Sequence, residues 1–177
     1  MPGRSDEALA AGLAAGLEDA FEAVYDRFAG RLLAAAWGLL GSHAEAEDAV
    51  QEVFLNLVRS RTAMAKVDDL QAYLFASLRH AAARRWNRRR REPASADPAI
   101  ADTSAPSPET SDERPARLER ALRSLPPRQR EVVALKIDGG LTFRQIAAVL
   151  GTSLNTAASR YRHALEKLRQ RLEEERT

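Results

Sequence analysis

Residues 70–91 read LQAYLFASLRHAAARRWNRRRR. On a helical wheel Leu70, Tyr73, Leu74, Phe75, Leu78, Ala81, Ala82 and Trp86 fall within one broad apolar arc, the spacing of a packed helix. The second half carries seven arginines, at 79, 84, 85 and 88–91, with no acid among them. The helix dipole favours cations at a helix C-terminus, which accounts for two or three of them. Seven without an acidic neighbour describe a helix that begins in a core and ends as a cationic rod, a device for holding a phosphate backbone.

Charge along the rest of the chain is just as uneven, although the net value is only +2. Residues 1–78 hold 6 basic and 12 acidic side chains, and residues 92–113 hold 6 acidic and none basic. Residues 114–177 hold 14 basic and 7 acidic. Such segregation points different segments at different partners: protein for the acidic part, nucleic acid for the two basic parts. With no cysteine there is no disulfide and no thiolate metal site, as suits a reducing cytoplasm. No apolar run approaches 18 residues and no signal segment is evident, so neither secretion nor membrane insertion is expected.

Upstream of the arginine helix the chain reads as three more helices. Ser5 can cap a helix over 6–15, which Gly16 ends. Phe21, Val24, Tyr25, Phe28, Leu32, Ala35, Ala36 and Leu39 keep helical spacing up to Gly41, a natural C-cap. Ser42 and Glu45 have the spacing of a capping box. In the helix they open, Ala46, Ala49, Val50, Val53, Phe54 and Leu57 form the inner stripe. Residues 59–69 have no sustained period and read as a loop. Residues 5–91 are thus a four-helix unit without a strand candidate.

Between 92 and 113 four prolines, many small residues and a lone Ile100 cannot build a core, so this stretch reads as a flexible acidic Pro/Ser/Ala linker. As a random coil of about 22 residues it spans roughly 25 Å, extensible to about 75 Å. Beyond it, Leu118, Ala121, Leu122 and Leu125 repeat at helical spacing before Pro126-Pro127. Val132–Ile137 leads to the turn Asp138-Gly139-Gly140. Thr142 and Gln145 form a second capping-box pattern, Gly151 turns the chain, and Ser153 caps a long helix from Leu154. Two helices joined by a short Gly turn are a helix-turn-helix. In that motif the N-terminal residues of the second helix reach base edges, here Asn155, Thr156, Ser159, Arg162 and His163. Arg128, Arg144 and Arg160 are placed for the DNA backbone, with Arg84, Arg85, Arg88 and Arg89 of the earlier helix.

With those motifs in hand, the C-terminal block LERALRSLPPRQREVVALKIDGGLTFRQIAAVLGTSLNTAASRYRHALEKLRQRL resembles region 4 of extracytoplasmic-function (group 4) sigma factors. Its marks are L-P-x-x-x-R-E-V, the turn before L-T-x-x-x-I-A, and S-R-x-x-x-A-L-x-x-L-R. The block FEAVYDRFAGRLLAAAWGLLGSHAEAEDAVQEVFLNLVRS with the arginine helix is similar to sigma region 2. The resemblance implies an all-α chain of two small domains: residues 1–91 resembling region 2, a linker over 92–113, and residues 114–177 resembling region 4.

The resemblance also implies roles. Asp48, Gln51 and Glu52, in DAVQE, match the segment that binds the clamp helices of the polymerase β′ subunit, and region 4 implies the β flap as a further contact. Arg61, Lys66, Asp68, Tyr73, Arg79 and His80 fall where the −10 element and its melted strand are held. The region 4 residues named above would read the −35 element. An anti-sigma partner, a cytoplasmic location and a monomeric free state are expected. Two departures matter: Ala158, preceded by Ala157, stands where many relatives carry a basic residue before S-R, and His80 replaces a common Asn.

No catalytic reading survives. His43, His80 and His163 are scattered, and there is no zincin motif, phosphate loop or nucleophile elbow. No enzyme activity, cofactor or metal is expected, and no further regulatory domain after Thr177. The competing reading is a helix-turn-helix transcription regulator that binds duplex DNA without core polymerase.

Overall fold

The computed structural model describes residues 5–91 and 114–174; the expected linker lies outside the described residues. These residues form eight α-helices and one 3-10 helix, with no strand among them. In order they are α1 (Asp6–Ala15), α2 (Glu18–Leu40), α3 (His43–Arg59), the 3-10 helix (Arg61–Lys66), α4 (Leu70–Arg91), α5 (Arg114–Ser124), α6 (Pro127–Ile137), α7 (Phe143–Leu150) and α8 (Leu154–Glu174).

Local chemistry fixes the ends. Ser5 accepts from the Ala8 amide at the start of α1, and Gly16 and Gly41 close α1 and α2 in the left-handed region that glycine tolerates best. At α7 the capping box is complete: Thr142 accepts from the Gln145 amide while the Gln145 side chain accepts from the Thr142 amide. The box expected at α3 is only half made. Ser42 accepts from the Glu45 amide at 3.4 Å, but the Glu45 carboxylate is drawn instead to Arg89.

Two other expectations need correcting. The stretch expected to be a loop contains a six-residue 3-10 helix, pinned by the fully buried Met64 under α1. Trp86, assigned to the apolar arc of α4, is exposed. The buried positions of α4 stop at Ala82; beyond it α4 stays beside α3 through arginine–glutamate pairs, and Trp86 lies outside that contact.

Phe28, Leu32, Leu57, Met64, Leu70, Leu74, Phe75 and Leu78 fill the centre of the N-terminal bundle. This core does not end with the bundle. Val132 and Leu135 of α6, Leu141 of the turn, Ile146, Ala147 and Val149 of α7, and Ala157 of α8 belong to the same buried cluster. A smaller cluster, Ala121, Leu125, Val133, Ala164 and Leu168, holds α5, α6 and α8 together. The two units are therefore docked, α6 on α2 and α7 on α4.

Candidate polymerase and nucleic-acid interfaces

A glycine turn is the key of the docked joint. The Gly139 carbonyl accepts from the Arg31 guanidinium of α2 and from the Gln71 side-chain amide of α4, the latter at 3.1 Å. A Cβ on Gly139 would lie 2.9 Å from the Phe75 ring, 2.8 Å from Leu141 and 2.6 Å from the Leu135 carbonyl, so only glycine lets the turn seat. Two polar clasps flank it. Arg79 pairs with Glu131 at 2.7 Å, and the Gln145 amide nitrogen donates to both Asp69 oxygens at 2.9 and 3.2 Å. Asp69 meanwhile caps α4 by accepting from the Ala72 amide at 2.8 Å. At the joint's other edge Asp138 sits against Gly38 with no partner among the described residues, and burial raises its pKa. Burial, and then the neighbouring Arg27, lower the pKa of Arg31.

On the face of the bundle away from this joint, α2 and α3 enclose an open groove of about 800 Å³. Tyr25, Leu33, Phe54, Leu55 and Val58 supply its apolar lining, and Glu47, Asp48 and Gln51 stand on its rim. Tyr25, Leu55 and Val58 are about half exposed, an unusual state for three neighbouring large apolar side chains, and the Tyr25 ring meets Phe54 at a tilt with ring centroids 4.9 Å apart. Of the residues singled out for a protein partner, Asp48 and Gln51 are exposed at this rim. Glu52 turns the other way, and both its oxygens are taken by Arg84 and Arg85. Burial alone would raise the Glu52 pKa, but hydrogen bonds from Arg85 and Arg84 outweigh it and hold the carboxyl below its ordinary value.

The arginine helix is thus partly neutralised from within. Arg85 donates to Glu52 and to the Ala81 carbonyl and is only 12% exposed, whereas Arg84 is 58% exposed. One helical turn on, Arg89 pairs with Glu45, its Nε donating at 2.9 Å. Arg88, Arg90 and Arg91 are exposed. Arg61, Lys66 and Asp68 are exposed along the 3-10 helix and the turn after it, and His80 is exposed on α4. Tyr73 is half-buried against the core, and Arg79 is held by Glu131.

In the C-terminal unit α7, the Gly151 turn and α8 form the helix-turn-helix. Ser153 caps α8 by accepting from the Thr156 amide at 3.0 Å. Ala157 is buried on the inner side, so Asn155, Arg162 and His163 emerge outward with Thr156, Ser159 and Arg160 at the edges. Phe143 and Tyr161 meet edge to face at 5.5 Å and lock α7 to α8. Arg128 and Arg144 are exposed on the preceding helices. The sequence signalled these faces; it gave no sign of Arg31, Gln71 and Glu131 as joint residues, whose partners lie 52 to 108 positions away.

Residues 24–92 match the family described as Sigma-70 region 2, and residues 116–168 match Sigma-70, region 4. Whole-chain similarity agrees. The sequence is 32% identical over 178 residues to the ECF RNA polymerase sigma factor SigK of Mycobacterium ulcerans, covering 95% of each chain. It is 32% identical to the RNA polymerase sigma factor CarQ of Myxococcus xanthus, over 90% of this chain and 92% of the relative. With the ECF sigma factor EcfG of Rhodopseudomonas palustris the identity is 33%, over 77% and 76%. The chain belongs to the ECF RNA polymerase sigma factors.

The docked ECF fold is similar to solved ones. CnrH, in complex with the cytosolic domain of CnrY, superposes with a TM-score of 0.70 over 95% of this chain and 97% of its own, at 25% identity. The sigma factor RpoE of Bartonella quintana, in complex with the anti-sigma factor NepR, has the same TM-score at 24% identity and shares the fold over 86% and 96%. As a sigma factor the chain serves RNA polymerase in transcription initiation and is all-α, with a region 2 unit and a region 4 unit in that order.

Proposed function

We propose that this sigma factor binds core RNA polymerase through the α2–α3 groove, grips the −10 region with the 3-10 segment and α4, and reads the −35 element with α8. The observation that carries this reading is the groove itself: an exposed apolar trough with carboxylates on its rim, on the face left free by docking. It suits the β′ clamp helices, whose apolar side chains would fill the trough while basic ones meet Asp48 and Gln51. The β flap is assigned to the region 4 unit on the family resemblance.

The domain assignment follows the same reading, with residues 1–91 serving polymerase and the −10 element, 92–113 as the linker and 114–177 serving the −35 element. Arg61, Lys66, Asp68 and His80 offer exposed polar groups to a melted strand. Arg79 joins them once Glu131 lets go, and Tyr73, half-buried against the core, is assigned with them on the family resemblance. Arg84, Arg88 and Arg89, together with Arg128, Arg144 and Arg160, hold phosphates. Arg85 serves through its hold on Glu52. Asn155, Thr156, Ser159, Arg162 and His163 face the bases.

Reading both elements at once requires the docked units to part. Elements centred 25 base pairs apart lie about 85 Å from each other at 3.4 Å per pair. The units touch in the docked state, and the 22-residue linker extends to about 75 Å, which with the breadth of the units suffices. An anti-sigma partner is part of the proposal, supported by the similar sigma factor RpoE, solved in complex with the anti-sigma factor NepR. So are a cytoplasmic site of action and a monomeric free state. None of the steps calls for catalysis, a cofactor or a metal.

Charge reversal at the rim tests the assignment. Asp48→Lys should weaken binding to core polymerase by tenfold or more, on the order of 1.4 kcal/mol, and leave −35 duplex binding unchanged. Equal losses in both would contradict the groove as the polymerase surface.

A further inference from the structure

We infer that Glu52 and Glu45 set the DNA selectivity of the arginine helix by occupying the places that phosphates would take on Arg84 and Arg89. The inference rests on the proposed use of α4 as a backbone clamp.

The geometry follows from antiparallel packing. Glu45 and Glu52 are seven residues apart, two turns along one flank of α3, and α4 runs back beside them. The later glutamate therefore meets the earlier arginines, Arg84 and Arg85, and the earlier glutamate meets Arg89. Glu52 uses one oxygen for each arginine, the paired arrangement a phosphate also offers. The two arginines it holds are not equivalent. Arg85 is shielded and bonded back to its own helix, whereas more than half of the Arg84 side chain is open to solvent. Arg89 is likewise nearly half exposed behind its glutamate. A phosphate that approaches Arg84 or Arg89 meets a guanidinium whose charge a carboxylate already offsets, and it takes up the full charge only by displacing that carboxylate.

The consequence is a graded clamp. Arg88, Arg90 and Arg91 are exposed with no acid against them among the described residues, so they meet any backbone. Arg84 and Arg89 add their contacts only where the duplex is held closely enough to displace Glu52 and Glu45. Arbitrary DNA is bound through fewer phosphates than the arginine count suggests, and a correctly seated promoter gains the rest.

The salt dependence of binding to a random-sequence duplex measures the number of phosphates engaged. In the full-length protein, Glu52→Gln and Glu45→Gln should each steepen the slope of log K against log salt by about 0.9, and the double variant by about 1.8. Affinity for random duplex should rise about fivefold per substitution at low salt, while the Glu45→Gln variant keeps its affinity for core polymerase within about twofold of wild type. Adding Arg84→Gln to Glu52→Gln should return the slope to the wild-type value, a reversal that loss of structure would not produce. An unchanged or shallower slope in both glutamate variants overturns the inference. So does a fall in core polymerase binding with the slope unmoved, which would make Glu52 a polymerase contact. If Arg88→Ala with Arg90→Ala leaves the wild-type slope unchanged, α4 is not on DNA at all, and the clamp reading falls together with this one.

Discussion

The side chain of Gln145 works in two directions at once. Its oxygen accepts from the Thr142 amide and completes the cap of α7, while its nitrogen donates to Asp69 at 2.9 Å across the joint between the two units. Asp69 is equally divided, capping α4 through the same carboxylate. The start of the helix-turn-helix and the start of the arginine helix are thus tied by one pair of side chains.

Replacing Gln145 with Glu separates these duties. A carboxylate keeps the accepting oxygen that α7 needs but faces Asp69 with like charge. Helix content should be retained while the units part, read as an increased distance between fluorophores on α3 and α8. An unchanged distance would show that the apolar contacts alone hold the joint.

Gly139→Ala strikes the joint's steric centre. The added methyl would press on Phe75 and Leu141, and the expected cost is about 1–3 kcal/mol, typical of overpacking. A lower denaturation midpoint at unchanged slope is the readout. Retained stability would mean the turn can back away from α4 at little expense.

Docking should respond to acid through Asp138. Its pKa is raised by burial from 3.8, so the docked state binds the proton more tightly than the parted state does. Docking is therefore favoured below the ordinary aspartate value and loses that advantage as pH rises through the raised one. Asp138→Asn should strengthen docking at neutral pH and flatten its dependence between the two values. The same inter-unit distance, followed from pH 4 to 7, tests it.

How far the chain could be read in advance differs between its parts for physical reasons. The α-helices announce themselves, because periodicity and caps are local: Ser5 and Thr142 start helices, and Gly41 and Gly151 end them, where expected. The 3-10 helix around Met64 escaped because one buried residue makes no period. The joint escaped for another reason. Its centre is a backbone carbonyl and its clasps include a neutral Gln, so neither charge nor hydropathy flags it. The arginine cluster was plain, yet its neutralisation was not, since Glu52 and Glu45 lie 32 and 44 residues away from the arginines they hold. The DAVQE segment carried the resemblance as a block; only the side-chain directions separate Asp48 and Gln51 from Glu52.

Base reading and backbone grip should separate in the C-terminal unit. Arg162→Ala should cost about 1–3 kcal/mol on the cognate −35 duplex and much less on random sequence. Arg144→Ala should weaken both alike and reduce the salt slope by about 1. Titrations on the two duplexes at several salt concentrations distinguish these outcomes, and sequence-independent loss at Arg162 would remove it from the base-reading set.

Run-off transcription decides whether this protein directs core polymerase to promoters. Purified core RNA polymerase is supplied with this protein and a library of genomic templates from its own source. Promoter-dependent transcripts should start at defined sites, vanish when the protein is omitted, and fall sharply with Asp48→Lys. Discrete transcripts that are the same with and without the protein, or none on any template while the protein still binds duplex DNA alone, would contradict it.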